Sequence, residues 1–208
     1  MTGYFISLEG GEGAGKSTQA KALSAALEAR GIEVRLTREP GGTPAAEVIR
    51  DLLLHGHDEK WNMRTEALLF AAARAEHCKT LIKPALESGM WVISDRFIDS
   101  SRAYQSVGGI LTDEDIMMLH HVGSESLMPH RTFVLDIPEE IGAHRADARD
   151  CGKSDRIGGR DSDYHHAVAA KFRQYSGEEP DRVKLIDASQ SPVDVTAGLL
   201  QNLTDLIG

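Results

Sequence analysis

The sequence predicts an α/β fold in which a parallel sheet is covered by helices on both faces. Five short apolar runs alternate with longer segments of helical periodicity, the order that builds parallel strands joined by helical crossovers. The first run leads straight into a glycine-rich stretch, EGGEGAGKST (Glu9–Thr18), and then into a helical pattern. That strand–loop–helix context is the one in which such a loop cradles phosphate. Parallel sheets of this kind bind ligands at the carboxyl ends of their strands.

Tyr4 to Glu9 (YFISLE) reads as the first strand, and Ser17 to Arg30 as a helix stopped by Gly31. Glu33 to Thr37 (EVRLT) is a second strand, followed by the turn-rich REPGGT and a helix from about Pro44 to His55. HGHDEKWN is a loop. Arg64 to Ser88 is one long helical pattern that Pro84 bends. Met90 to Ser94 (MWVIS) is a strand, with helical patterns after it through Leu127. Thr112 before DED has the form of an N-cap with acids in the first turn. Arg131 to Ile137 is the fourth strand, and a helix is expected from Pro138 to Arg149. Cys151 to Asp163 is polar and glycine-rich, a poor core former. Val183 to Asp187 (VKLID) is the last strand and Pro192 to Ile207 the final helix; nothing is assigned between residues 164 and 182.

The 208 residues suffice for one domain with a real core, and no internal repeat or low-complexity tract divides them. Hydrophobic residues at 41% and charged residues at 26% are ordinary for a globular protein. A net charge of −9 argues against nonspecific nucleic-acid binding, which needs basic surface, but leaves room for a locally basic cleft. Cys78 and Cys151 stand far apart and in no metal-like spacing, as expected of a reduced cytoplasmic protein. The opening MTGYFISLEGG has neither a basic region nor a long apolar stretch, so neither a signal peptide nor a membrane span is expected.

Gly10, Gly15, Lys16 and Ser17 fit G-x-x-x-x-G-K-[ST]. The loop through Gly10, Gly11, Glu12, Gly13, Ala14, Gly15, Lys16, Ser17 and Thr18 is the expected ATP site. Its glycines let backbone N–H groups converge on phosphate oxygens, and the helix N-terminus adds positive dipole. Lys16 should reach the β- and γ-phosphates, and the Ser17 hydroxyl should help to hold Mg²⁺. Three classes use such a loop: a small-molecule kinase, a GTPase-type switch, and an ATPase acting on a macromolecule. The switch lacks its guanine-reading Asn-Lys-x-Asp element, since neither Asn62 nor Asn202 precedes a lysine. The ATPase has little chain left for a partner-binding domain.

A kinase needs a second site for the phosphoryl acceptor. REPGG (Arg38–Gly42) follows the second strand and so lies at the ligand edge of the sheet. Phe70 and Arg74, four apart on the long helix, share a face. A ring can stack on a base and a guanidinium can hydrogen-bond a base oxygen. Asp95-Arg96 follows the strand WVIS; the carboxylate can bind Mg²⁺ and the arginine can grip a transferring phosphate. Ser100, Ser101, Tyr104 and Gln105 fall on the next helical stretch. Asp136, at the end of the fourth strand, could imitate such a metal-binding acid, but it has no arginine beside it. The pairs His120-His121 and His165-His166 cannot face one ligand together, and His77 and Cys78 have no partners at metal spacing.

EGGEGAGKST, TREPGG, FAAARAEH and DRFIDSSRAYQ resemble, in order and spacing, the motifs of the bacterial thymidylate kinases. VKLIDAS resembles that family's last strand and adenine-side loop. The resemblance covers nearly the whole chain. It implies a single nucleoside monophosphate kinase-like domain of the P-loop NTPase type: three layers around a five-stranded parallel sheet. The implied reaction moves the ATP γ-phosphate to dTMP and gives dTDP, on the route to dTTP, with Mg²⁺ as cofactor and a homodimer packed through helices. Other deoxynucleoside or nucleoside monophosphate kinases on the same core are the alternative, with a regulatory P-loop ATPase third.

By the same resemblance Glu12 faces the acceptor and accepts a hydrogen bond from the deoxyribose 3′-hydroxyl. Arg38 and Arg96 hold the dTMP phosphate, Asp95 anchors the metal, and Phe70 stacks on thymine. Arg74 addresses thymine O4, Tyr104 crowds a ribose 2′-hydroxyl, and Ser100, Ser101 and Gln105 line the base side. The phosphate loop has no arginine, which implies the type whose catalytic arginines sit in a lid, residues 145–163. Arg149 aligns with the lid arginine, with Arg145 and Arg156 in support. Lys16, Arg96 and Arg149 are then the catalytic cations. The lid departs from the family where Gly158 replaces a common acid and Ala167 and Ala169 replace common arginines; Gly158-Gly159 should loosen it. No general base is needed, because a phosphate monoester with a second pKa of about 6 is already a nucleophilic dianion.

Overall fold

Five strands, β1 (Phe5–Gly10), β2 (Val34–Arg38), β3 (Trp91–Asp95), β4 (Arg131–Asp136) and β5 (Val183–Asp187), pair in parallel in the order β2-β3-β1-β4-β5. This computed structural model describes residues 3–54, 61–150 and 156–207, the side chains of Asp147, Arg149 and Asp150 excepted. His55, most of the HGHDEKWN loop and residues 151–155 of the lid lie outside the described residues.

Period-two alternation sends the side chains of each strand to opposite faces. Ile6, Leu8, Ile93, Phe133 and Leu135 pack on one face with Leu23 of α1 (Lys16–Glu28) and Leu199 of α9 (Pro192–Gln201). Phe5 and Val92 face the other way, toward Ile82 and toward Ile98 of α5 (Ile98–Ser106). Both faces are therefore covered, which is why β1 is buried along its whole length.

α2 is described over Pro44–Leu54, and its expected end at His55 lies outside the described residues. The long helical pattern divides into α3 (Met63–His77), a π-helical turn over Cys78–Ile82, and α4 (Lys83–Glu87). The proline accounts for the break: Pro84 has no N–H, and in the turn before it Lys83 N reaches back to Cys78 O. Thr112 caps α6 (Asp113–Ser124) in a capping box with Asp115. α7 (Glu139–Asp150) leads into the lid.

The longest helix, α8 (Ser162–Glu178), follows the lid in a stretch to which the sequence pattern assigned no element. Its signal is there: Asp161 accepts from Tyr164 N as an N-cap, and the buried Val168, Phe172 and Tyr175 recur at helical spacing. The polar start of the segment hid that pattern. The final helix also breaks at Asn202, after α9, and resumes as α10 (Thr204–Ile207).

A buried ionic cluster ties α5 to the sheet and to the end of α8. Asp99 Oδ2 accepts from Thr132 Oγ1 at 2.9 Å and Arg182 Nη1 at 2.6 Å, while Asp99 Oδ1 accepts from Arg102 Nη1 at 2.9 Å. Burial pushes the Asp99 carboxyl up, but Arg182 and Arg102 outweigh it and hold it below the usual range. Asp99→Asn removes the buried countercharge that Arg102 and Arg182 share and leaves them only the half-exposed Asp113 and Glu179, so it is expected to cost about 3 kcal/mol of stability, read from urea unfolding.

Candidate active site

Three strand ends meet at one edge of the sheet. Asp95 lies in register with Leu8 on one side and Arg38 on the other, so the residues after β1, β2 and β3 emerge together. Arg96 turns there with φ +71°, a left-handed conformation that costs a non-glycine residue roughly 1–3 kcal/mol. Its surroundings hold it: Arg96 N donates to Leu8 O at 2.9 Å, and Ser94 Oγ donates to Arg96 O at 2.7 Å. Glu9 closes the turn, its Oε1 accepting from Phe97 N at 2.8 Å and its Oε2 from Ser100 Oγ at 2.5 Å. The turn brings Arg96 Nη1 to Gly10 O at 3.1 Å and Ser100 Oγ at 3.0 Å, with the guanidinium 5.0 Å from the centroid of the Tyr104 ring.

The phosphate loop curls between this turn and α7. Gly13 has φ +67°, and a Cβ there would lie 2.0 Å from Gly142 O, so the crest of the loop has room for glycine alone. Lys16 Nζ donates to Gly11 O at 2.6 Å and Gly10 O at 3.2 Å. Burial, and then the Arg96 charge, push the Lys16 ammonium down to about 7, against the pull of Asp95, Glu9 and Glu12. Ala14 is buried in the core, and Gly10 and Gly11 contribute carbonyl oxygens here. Ser17 Oγ donates to Asp95 Oδ2, so the two expected metal ligands do converge. Asp136 is instead engaged by Arg173, at 2.8 and 3.1 Å.

Beside the loop opens a cavity of about 1030 Å³. Glu12, Gly13, Gly15, Lys16, Ser17 and Thr18 of the loop line it, as do Phe70, Arg74, Ser101, Tyr104 and Gln105 from α3 and α5. Arg38, Asp95, Arg96 and Ser100 lie on its wall as well. Every expected acceptor residue thus borders one space. Arg74 and Arg38, like Arg96, already have partners. Arg74 donates through Nε to Glu39 Oε2 at 2.7 Å and through Nη2 to Ser101 Oγ at 2.8 Å. Arg38 Nη2 meets both Glu47 oxygens at 3.1 Å near the surface. Gln105 Nε2 donates to Glu66 Oε1 at 2.9 Å.

Sequence reasoning gave no role to Glu9 or Glu39. Each is buried, and each holds an arginine or the turn that carries one. Burial raises Glu39, but Arg74 and then His77 hold it below the usual carboxylate range. Arg50, Leu54 and Ile157 also line the cavity unannounced. An acid ending an apolar strand, as Glu9 does, was the available signal.

On the lid side, Arg145 and Arg156 border the cavity, and Arg145 Nη1 donates to Ala188 O at 3.3 Å. Arg149 belongs to α7, but its side chain lies outside the described residues. Ile157 packs against the clusters that contain Tyr104 and Phe70. Gly158 has a reason other than looseness: a Cβ there would lie 2.6 Å from both carboxylate oxygens of Glu12. The lid carries no side chain where Glu12 abuts it.

Fold and cavity together define a P-loop phosphotransferase with an acceptor pocket built against its nucleotide loop. The family model described as thymidylate kinase matches residues 8–198. Thymidylate kinase of Rhizorhabdus wittichii is 53% identical over 207 residues, all of both chains, and that of Pseudomonas syringae pv. tomato is 47% identical over all of this chain and 98% of its own. The crystal structure of thymidylate kinase from Ehrlichia chaffeensis superposes with a TM-score of 0.77 at 30% identity, covering 98% of this chain and 100% of that one. The chain belongs to the thymidylate kinase family. Among the described residues, no helix is long and apolar enough to cross a membrane.

Glu9 makes the joint beneath the site pH-sensitive. Burial, then the Asp99 charge, push its carboxyl up from 4.5 to about 7 in the folded protein. The folded state therefore binds the extra proton across that window, and stability falls as pH rises through it. Glu9→Gln cannot ionise and is expected to gain about 2–3 kcal/mol relative to the parent protein between about pH 5 and about pH 8, measured by urea unfolding at each.

Proposed function

We infer that this chain transfers the γ-phosphate of ATP to dTMP and yields dTDP. The observation that carries this is one cavity lined both by the phosphate loop and by Phe70, Arg74 and Tyr104. A cavity of about 1030 Å³ that holds an aromatic ring and arginines beside a phosphate loop suits a nucleoside monophosphate. It does not suit a free nucleoside, which would waste the arginines Arg38 and Arg96.

Two anions must be brought together, so the work is positioning and charge stabilisation. Lys16 faces the donor phosphates. Arg96, fixed by its turn, bridges the loop and the acceptor phosphate, with Arg38 at the mouth. Arg145, Arg149 and Arg156 supply the lid's cations as charge spreads over the transferring group. Phe70 stacks on thymine, Arg74 donates to O4, Ser100, Ser101 and Gln105 line the base side, and Tyr104 fills the space of a ribose 2′-hydroxyl. Glu12 accepts from the 3′-hydroxyl.

The Ser17 hydroxyl and Asp95 carboxylate form an oxygen-only donor set that fits Mg²⁺. When bound there, the ion would neutralise charge on the ATP phosphates. We place the enzyme in the cytoplasm, where both nucleotides are available. A homodimer is proposed through the adjacent helices α2, α3 and α6, whose outer faces expose Val48, Leu52, Leu68, Met118 and Val122. Val122 is 78% exposed and Met118 66%, and apolar side chains gathered on adjacent helices mark an interaction surface.

Phosphotransfer from Mg·ATP to a panel of dTMP, dUMP, ribothymidine monophosphate, dCMP, dGMP and thymidine tests the reaction. Fast ADP release is expected with dTMP, weaker release with dUMP, and almost none with dCMP or thymidine. Slow hydrolysis indifferent to every acceptor would overturn the reading. Val122→Asp is expected to convert a dimer to a monomer in sedimentation velocity; a parent protein that is already monomeric would remove the dimer proposal.

A further inference from the structure

We propose that Arg160 and Glu66 are positioning residues for base selection: together they fix the Gln105 amide with its carbonyl oxygen toward the nucleobase. This rests on the thymidylate kinase reading of the cavity. Arg160 lies in the turn that leads from the lid into α8. Its Nη2 donates to Glu66 Oε2 at 2.5 Å, and the other oxygen of Glu66 accepts from Gln105 Nε2 at 2.9 Å. Arg160 Nη1 also donates to the Tyr164 hydroxyl, which donates in turn to Tyr104 O at 2.7 Å. The guanidinium lies 4.5 Å from the Tyr164 ring centroid. The lid's exit is thereby fastened to both helices that carry the base wall, α3 with Phe70 and α5 with Tyr104.

The chemistry of Glu66 decides which way Gln105 faces. An ionised carboxylate only accepts hydrogen bonds, so Gln105 can meet it only through the NH₂ group. Oε1 is then turned away, and it has no protein partner among the described residues, while Gln105 lines the cavity. Glu66 and Gln105 are both buried, and a buried carboxylate needs the countercharge that Arg160 supplies. The base edge therefore meets a donor from Arg74 and an acceptor from Gln105. Thymine offers the complement, an oxygen at O4 and an N–H at N3. Cytosine offers an amino group and a bare nitrogen, the reverse at both positions. A site that hydrogen-bonds its substrate rejects a mismatched analogue because buried groups are left unpaired.

The test is kcat/KM for dTMP and dCMP in Glu66→Gln, Arg160→Gln and Arg160→Lys. Glutamine at position 66 can donate as well as accept, so Gln105 is free to turn over. The dTMP-to-dCMP ratio is expected to fall about three- to tenfold in Glu66→Gln and in the same direction in Arg160→Gln, the range of one neutral hydrogen bond. Arg160→Lys keeps the charge and should restore most of the ratio. Arg74 is unchanged throughout, so the ratio reads Gln105. Equal losses for both acceptors, with the ratio unmoved, mark a merely structural role and overturn the proposal. Should Glu66→Gln not fold, Arg160→Gln, at a less buried position, decides between the two outcomes by the same ratio. A parent protein with no dTMP-dependent turnover would instead overturn the reading of the cavity itself.

Discussion

The cavity depends on a buried carboxylate at the end of β1. Glu9 spends both oxygens on the segment that follows β3, one on Phe97 N and one on Ser100 Oγ. That joint sets the spacing between the phosphate loop, which begins one residue later, and Arg96. It also supports the left-handed backbone of Arg96. Neither the loop nor α5 could shift without breaking hydrogen bonds to a group sealed from water, where such breaks are costly. Close placement of a cation beside the phosphate loop thus follows from a buried carboxylate that is hydrogen-bonded to neither the arginine nor the loop.

The same logic recurs in the other cations. Arg74 is held by Glu39 and Ser101, Arg38 by Glu47, and Lys16 by two loop carbonyls. Each is oriented before any anion arrives, and the guanidinium groups keep N–H donors to spare. A chain with net charge −9 can therefore serve two phosphorylated nucleotides. The acids are not opposed to the function, because several of them are what aim its cations. Preorganised donors of this kind lose little reorganisation energy when charge develops.

The strands, the phosphate loop and the residues that line the cavity were legible because each signal is local. A run of apolar residues, a glycine spacing or an aromatic four residues from an arginine can be read without knowing what lies opposite. Glu9, Glu39 and Glu66 were not legible in that way. Their partners, Phe97, Arg74 and Gln105, are from 35 to 88 residues distant, and their roles exist only once the sheet brings the segments together. α8 was missed for a different reason. Its buried stripe of Val168, Phe172 and Tyr175 begins beyond a polar lid, and the lid's composition masked the change of period.

Two lid positions, Gly158 and Arg160, stand against carboxylates that the rest of the fold holds. Gly158 leaves space for the Glu12 carboxylate, where an acid would have been pushed into a like charge. Two residues on, Arg160 supplies a cation where the lid exit crosses Glu66. A carboxylate at the crest of a phosphate loop then ceases to be a contradiction. It lies against the lid backbone at Gly158. The glycine and the arginine are thus consequences of where Glu12 and Glu66 already stand, and a substitution at either lid position acts through those two carboxylates before it acts on flexibility.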